Sequence, residues 1–284
     1  MPNVGDVLRL MRPLQWYKNV LVFVPLVFVG WLFEPVPFAL SALAFIALCI
    51  VSSANYAIND VLDASADRLH PEKCDRPVAS GRVSKPVALV FAVGLFAASA
   101  VISFTLASSF GALVVGLFVW TLLYSVAFKR EPVVDVLAIG VNFVARAVAG
   151  AVVISVPVSA WLVLCTFFLS LVLSVGKREA ELVFLGGAAV RHRRTLAGYT
   201  PRLTHLLMVS SVSLLVLSYA LFVFFGGHQG LFITLPLSLY SVWRFAQLVE
   251  QGSVIARHPE FVVRDARLVV AVALWAVLAF VVMY

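Results

Sequence analysis

Three carboxylates stand out in the stretch Asn59-Asp60-Val61-Leu62-Asp63-Ala64-Ser65-Ala66-Asp67. Asp60, Asp63 and Asp67 recur at i, i+3 and i+7, a spacing that stacks them on one helical face. Asn59 lies four residues before Asp63, and Tyr56 seven before it, so both join that face from the apolar side. Clustered carboxylates repel one another, and apolar surroundings raise the cost of keeping them charged. A divalent cation offsets that cost. Mg²⁺ prefers oxygen ligands and is commonly held by one or two carboxylates together with substrate phosphates. The chemistry expected of this face is therefore a metal-diphosphate site. The alternative is a solvated acidic helix end.

The loop that follows supplies the opposite charge. It runs Arg68-Leu69-His70-Pro71-Glu72-Lys73-Cys74-Asp75-Arg76-Pro77-Val78-Ala79-Ser80-Gly81-Arg82, broken into turns by Pro71, Pro77 and Gly81. Lys73 and Arg76 follow the carboxylates closely enough to share a ligand, as phosphate contacts beside a magnesium site. The alternative is the ordinary positive charge that topology alone places on a cytoplasmic loop. A second polar cluster, Ser170, Ser174, Lys177 and Glu181, lies on one helical face near Gly176-Lys177-Arg178-Glu179. It is basic, so Lys177 and Arg178 suit a phosphate group, or else snorkel to lipid heads. Asp135, Asn142 and Arg146 share a face further along, with Arg146 about 16 Å from Asp135 along the helix axis. That puts Arg146 deep in apolar surroundings, facing a cavity or pairing with an internal group. Trp16 and Tyr17 read as an interface belt, which leaves Lys18-Asn19 unexplained; Tyr124 and Lys129 form a similar pair.

These residues need a frame, and composition says which. The 284-residue chain is 62% hydrophobic and 12% charged, with a mean hydropathy of +1.03. That composition excludes a soluble globular enzyme and points to an all-α membrane protein. Nine spans are expected: Tyr17–Phe33, Leu40–Ile58, Val87–Leu106, Gly111–Phe128, Asp135–Ile154, Ala160–Val175, Leu203–Phe225, Leu231–Leu248 and Leu268–Tyr284, forming a single membrane domain over 1–284. With that assignment, all but one of the 21 Lys and Arg residues fall on one side, the exception being Arg146. The positive-inside rule makes that side cytoplasmic, with the N-terminus inside and Tyr284 outside. Arg191-His192-Arg193-Arg194 reads as surface charge near anionic lipid heads. The outer connections carry only Glu34, so chemistry belongs on the cytoplasmic face of the plasma (inner) membrane. Cys49, Cys74 and Cys165 have neither metal-ligand nor redox spacing, and no secretory signal is evident.

The Asn59–Asp67 motif, set in the second span of such a bundle, resembles the UbiA superfamily of intramembrane prenyltransferases along essentially the whole chain. Most members carry a second Asp-rich motif after the sixth span; here that place reads Lys177-Arg178-Glu179-Ala180-Glu181-Leu182. With Arg12-Pro13-x-Gln15-Trp16-x-Lys18-Asn19 and His70-Pro71-x-Lys73-x-x-Arg76-Pro77-x-x-Ser80-Gly81, the chain looks like the decaprenyl-phosphate phosphoribosyltransferase branch. The resemblance implies transfer of 5-phosphoribosyl from phosphoribosyl diphosphate to a polyprenyl phosphate, a precursor step for bacterial cell-wall arabinan. It implies Mg²⁺-diphosphate at Asn59, Asp60, Asp63 and Asp67, with Asn59, Asp63 and Asp67 in the catalytic role. Tyr56 and Tyr124 are expected beside substrate. Lys18, Lys73, Arg76, Lys129, Arg146, Lys177 and Arg178 become candidate phosphate contacts. Extra cations fit a donor and an acceptor that bring three anionic groups between them. No nucleic-acid partner is expected, and a homo-oligomer is possible. Two rivals stand beside this: an aromatic prenyltransferase of the same superfamily, and a secondary transporter with a charged midplane site.

Overall fold

The computed structural model describes residues 3–69, 73–185, 196, 198–227 and 229–284, and these are helical with connecting turns. The helices are α1 (Val4–Met11), α2 (Val24–Phe28), α3 (Pro35–Asp67), α4 (Lys85–Leu106), α5 (Ser108–Val126), α6 (Val134–Val153), α7 (Ala160–Leu185), α8 (Pro201–Phe225), α9 (Leu235–Glu250), α10 (Val254–Arg257) and α11 (Ala266–Met283). Among the described residues seven of them, α3 to α8 and α11, are long and apolar enough to cross a membrane. The chain is an all-helical integral membrane protein.

The first and eighth expected spans are not single long helices. Tyr17–Phe33 becomes a 3-10 segment, Pro13–Phe23, followed by the five-residue α2. Pro25 cannot donate to the ladder, and Gly30 takes the positive φ of 81° that closes the segment. The eighth begins as a 3-10 segment, Gln229–Thr234, and continues as α9, whose 16 residues cover about 24 Å against a hydrocarbon core of about 30 Å. The second expected span, by contrast, extends at both ends into a 33-residue helix. Such a helix is about 50 Å long, so its last turns, which carry Asn59 to Asp67, run past the apolar layer.

The chain packs as two compact groupings, Met1–Ala127 with Ala145–Pro157, and Phe128–Val144 with Val158–Tyr284. In the first, α3 and α4 meet along small residues: Ser41, Ala44, Ala47, Ala88, Ala92, Ser99 and Ser103 are all buried. Small side chains let two helix backbones approach closely where lipid offers no hydrophobic drive. Ser99 Oγ adds a hydrogen bond to the Ala47 carbonyl at 2.8 Å. The core beside them joins Val22, Leu26, Leu48, Val51, Phe110, Val114 and Ala149. Gly150 touches the 3-10 segment so closely that a Cβ there would stand 2.0 Å from the Val22 carbonyl oxygen. The second grouping is built on α7, α8 and α9, with Val172, Val175, Met208, Leu215, Phe245 and Val249 at its centre.

Candidate active site

The motif Asn59–Asp67 is helical throughout, as its spacing predicts, and forms the last turns of α3. Asp60 and Asp67 are buried, while Asn59 and Asp63 are half-buried. Two arginines from outside the helix neutralise the buried pair. Arg12, at the head of the 3-10 segment, donates Nη2–H to Asp60 Oδ1. Arg76 places Nη1 2.6 Å from Asp67 Oδ2 and 3.5 Å from Asp60 Oδ1. Asp60 Oδ2 is buried with no hydrogen-bond partner among the described residues. Arg12 holds a left-handed φ of 52°, unfavourable for a side chain with a Cβ by about 1–2 kcal/mol. Its ion pair and its seat 5.2 Å above the Tyr56 ring favour that conformation.

The rest of the N-terminal segment is stitched to α3 by polar contacts. Trp16 Nε1–H donates to Ser53 Oγ at 3.1 Å, and Ser53 Oγ–H reaches the Met11 carbonyl at 2.9 Å. Lys18 Nζ donates to Gln15 Oε1 at 2.7 Å. Asn19, fully buried, accepts from Arg146 Nε at 2.7 Å. The close approach at Gly150 puts Arg146 there, one helical turn earlier on α6. Lys73 is half-buried in the loop after the motif. His70, Pro71 and Glu72 of that loop lie outside the described residues, as does Arg191-His192-Arg193-Arg194.

In the second grouping Arg178 is almost wholly enclosed. Its Nε donates to Asp135 Oδ2 at 2.9 Å, with Arg178 2% and Asp135 0% exposed. Nη1 reaches Glu181 Oε2 at 3.5 Å. The Tyr199 hydroxyl donates to Asp135 Oδ1 and accepts from the Val133 N–H at 2.9 Å. Burial first, then the neighbouring Asp135, pushes the Tyr199 phenol above its ordinary range. Lys177, next to Arg178, is half-buried instead. Ser170 and Ser174, expected on a shared polar face, donate to carbonyls of their own helix, Phe167 at 2.7 Å and Leu171 at 3.3 Å.

The structure thus regroups several expected partners. Asp135 and Arg146 share α6 but bond to residues in different places, Asp135 to Arg178 and Arg146 to Asn19; Asn142 between them is half-buried. Tyr124 belongs to the first grouping and Lys129 to the second, both half-buried. Sequence reasoning missed Arg12 as the counter-ion of Asp60, although it stood in the quoted Arg12–Asn19 motif. It missed Tyr199 altogether, because nothing in the spacing ties it to Asp135, 64 residues earlier.

The donor set can be tested against a divalent cation. Among the described residues no three His, Cys, Asp or Glu side chains are gathered as a ready-made metal cage. Mg²⁺ does not need one, because it completes its shell with phosphate oxygens and water. The partnerless Asp60 Oδ2, with Asp63, Asp67 and the Asn59 amide on the same helix end, supplies the hard oxygen donors such an ion takes. The residues fit.

A membrane-embedded helical enzyme with an arginine-braced acidic motif is the class these features define. The sequence profile of the UbiA prenyltransferase family matches residues 20–256, and the chain belongs to that family. It is 34% identical over 227 residues to a Corynebacterium glutamicum protein named decaprenyl-phosphate phosphoribosyltransferase, covering 78% of this chain and 68% of that one. A Mycobacterium tuberculosis protein of the same name is 31% identical over 277 residues, covering 95% and 91%. A UbiA homolog from Archaeoglobus fulgidus, solved with GPP and Mg²⁺, superposes with a TM-score of 0.73 at 20% identity, covering 98% of this chain and 99% of that one. That likeness establishes the fold.

Proposed function

We propose that this protein transfers 5-phosphoribosyl from 5-phosphoribosyl 1-diphosphate to decaprenyl or a similar polyprenyl phosphate. The products are decaprenylphosphoryl-5-phosphoribose and diphosphate, and the product lipid feeds cell-wall arabinan synthesis. One observation carries the reading: relatives that align over most of the chain share the name decaprenyl-phosphate phosphoribosyltransferase. Membership of a prenyltransferase family leaves the transporter alternative without support.

The residues are assigned as follows. Asn59, Asp60, Asp63 and Asp67 would hold Mg²⁺, which when bound would supply charge neutralisation for a diphosphate. Lys73 and Arg76 bind diphosphate oxygens, and Arg76 is already oriented by Asp67. Lys177 is assigned to phosphate binding, and the Asp135–Arg178 pair keeps its stretch of α7 in place. The C1–O bond to diphosphate breaks as the ribose gains oxocarbenium character. The acceptor phosphate oxygen forms the new bond from the opposite face, with inversion. A phosphate monoester is ionised at neutral pH, so no protein base is needed. Lys18, Lys129 and Arg146 are further phosphate contacts, and Tyr56 and Tyr124 line the site.

The same reading includes nine passes, with the first and eighth made of short 3-10 and α pieces, and a site facing the cytoplasm from the plasma membrane. It is supported by the one-sided Lys and Arg distribution. The deciding assay uses purified protein in nanodiscs, given radiolabelled phosphoribosyl diphosphate and decaprenyl phosphate. A parallel arm offers a polyprenyl diphosphate and an aromatic acid. Labelled lipid in the first arm is expected; prenylated acid in the second, with none in the first, overturns the reading.

A further inference from the structure

The N-terminal helix has features that the catalytic assignment leaves unused. Asn3 caps α1, accepting from the Asp6 N–H at 2.7 Å. Its inward face buries Asp6 and Leu10, and Arg82 Nε fastens Asp6 at 2.9 Å. The outward face carries Leu8, 50% exposed, and just beyond the helix Leu14 is 82% exposed. Between them opens a cavity of about 400 Å³, lined by Leu8, Arg9, Arg12, Pro13, Leu14 and Gln15.

That lining joins apolar residues to Arg9 and Arg12 and includes no Asp or Glu. At its edge Gln15 holds the Lys18 ammonium. Arg12 is shared: it lines the cavity and also donates to Asp60, so the cavity adjoins the acidic motif. We propose that this cavity binds the phosphate head and first isoprene units of the polyprenyl phosphate acceptor. The inference rests on the phosphoribosyl-transfer reading and locates that reading's acceptor.

Three physical points select this occupant. A sugar diphosphate is polar over its whole surface and gains nothing from covering Leu8 and Leu14. An isoprenoid chain removes both from water, at about 25 cal/mol per Å² of apolar area. A bilayer phospholipid is a phosphodiester with a single charge at its phosphate, whereas a polyprenyl phosphate is a monoester approaching two charges at neutral pH. Arg9 and Arg12 at the lining match the second better, since the doubly charged head gains more from neighbouring cations.

The test has a binding arm and a kinetic arm, both on full-length protein in nanodiscs. A diazirine-bearing polyprenyl phosphate is photolysed, and the labelled peptides are mapped. Labelling within residues 8–15 is expected, removed by unlabelled decaprenyl phosphate and not by equal phosphatidylglycerol. In the kinetic arm, Arg9→Gln should raise KM for decaprenyl phosphate about tenfold, the loss of one charged contact, with KM for phosphoribosyl diphosphate unchanged. Labelling confined to other helices, equal displacement by phosphatidylglycerol, or an unaltered lipid KM in Arg9→Gln each overturns the site. Correct labelling in a wild-type protein that transfers no phosphoribosyl would overturn the parent reading and leave the lipid site standing.

Discussion

Lys177 and Arg178 are adjacent in sequence but differ in environment. Arg178 is sealed against Asp135, whereas Lys177 is half-buried. Breaking a buried ion pair by removing one partner costs about 3–5 kcal/mol, since the remaining charge is stranded. Arg178→Ala should therefore lower the melting temperature in detergent along with activity. Lys177→Ala should cut kcat/KM about thirtyfold with little thermal change, the loss of about 2 kcal/mol of phosphate binding. Parallel fluorescence-monitored melting and steady-state kinetics read both; a thermally neutral Arg178→Ala would contradict the buried pair. Asp63→Asn should abolish turnover while keeping the fold, with EDTA reproducing the loss and Mg²⁺ reversing it; turnover persisting in EDTA would remove the metal from the site. The motif spacing made the carboxylate face legible, because three residues on one helix are fixed by local geometry. It did not reveal that Arg178 would turn to Asp135, 43 residues away, since that pairing is set by tertiary packing.

At the level of elements, the 3-10 segment Pro13–Phe23 is the piece that brings Arg12, Trp16 and Asn19 to α3. It depends on Gly150, whose missing Cβ admits the Val22 carbonyl. Gly150→Ala forces a shift there, and overpacking of this kind costs about 1–3 kcal/mol. The expected outcome is a lower melting temperature together with weakened activity, because Asn19 is drawn away from Arg146. Unchanged melting would show that the segment yields freely. Hydropathy read Tyr17–Phe33 as one span because apolar content does not register hydrogen-bond pattern. Pro25 and Gly30 were visible, but each also occurs inside membrane helices, so neither was decisive alone. The extension of α3 to Asp67 was underestimated for the converse reason: polar residues end an apolar run without ending a helix.

For the whole molecule, charge asymmetry was the most legible property, because it sums over every loop and needs no contact to be known. Cys74 offers a direct check, being exposed in the loop after α3 while Cys49 is buried. A membrane-impermeant maleimide should label Cys74 in inside-out vesicles and leave it untouched in intact cells. Labelling from outside would reverse the orientation and move the site with it. The division into two compact groupings, with α6 contributing to both, was not legible. Hydropathy marks where helices are, and only long-range packing decides which neighbours they choose.

The arginines beside Asp60 and Asp67 also bear on how a metal is admitted. A guanidinium tethered through the chain acts as a competing cation at a fixed local concentration, in the millimolar range or above for short tethers. Free Mg²⁺ must displace it, and gains little by doing so. A magnesium diphosphate brings its own anions, to which Arg76 can transfer, so the exchange does not strand its charge. Calorimetric titration should accordingly find Mg²⁺ alone binding far more weakly than Mg²⁺ together with phosphoribosyl diphosphate. Equal affinity in the two titrations would mean that the tethered cations do not compete.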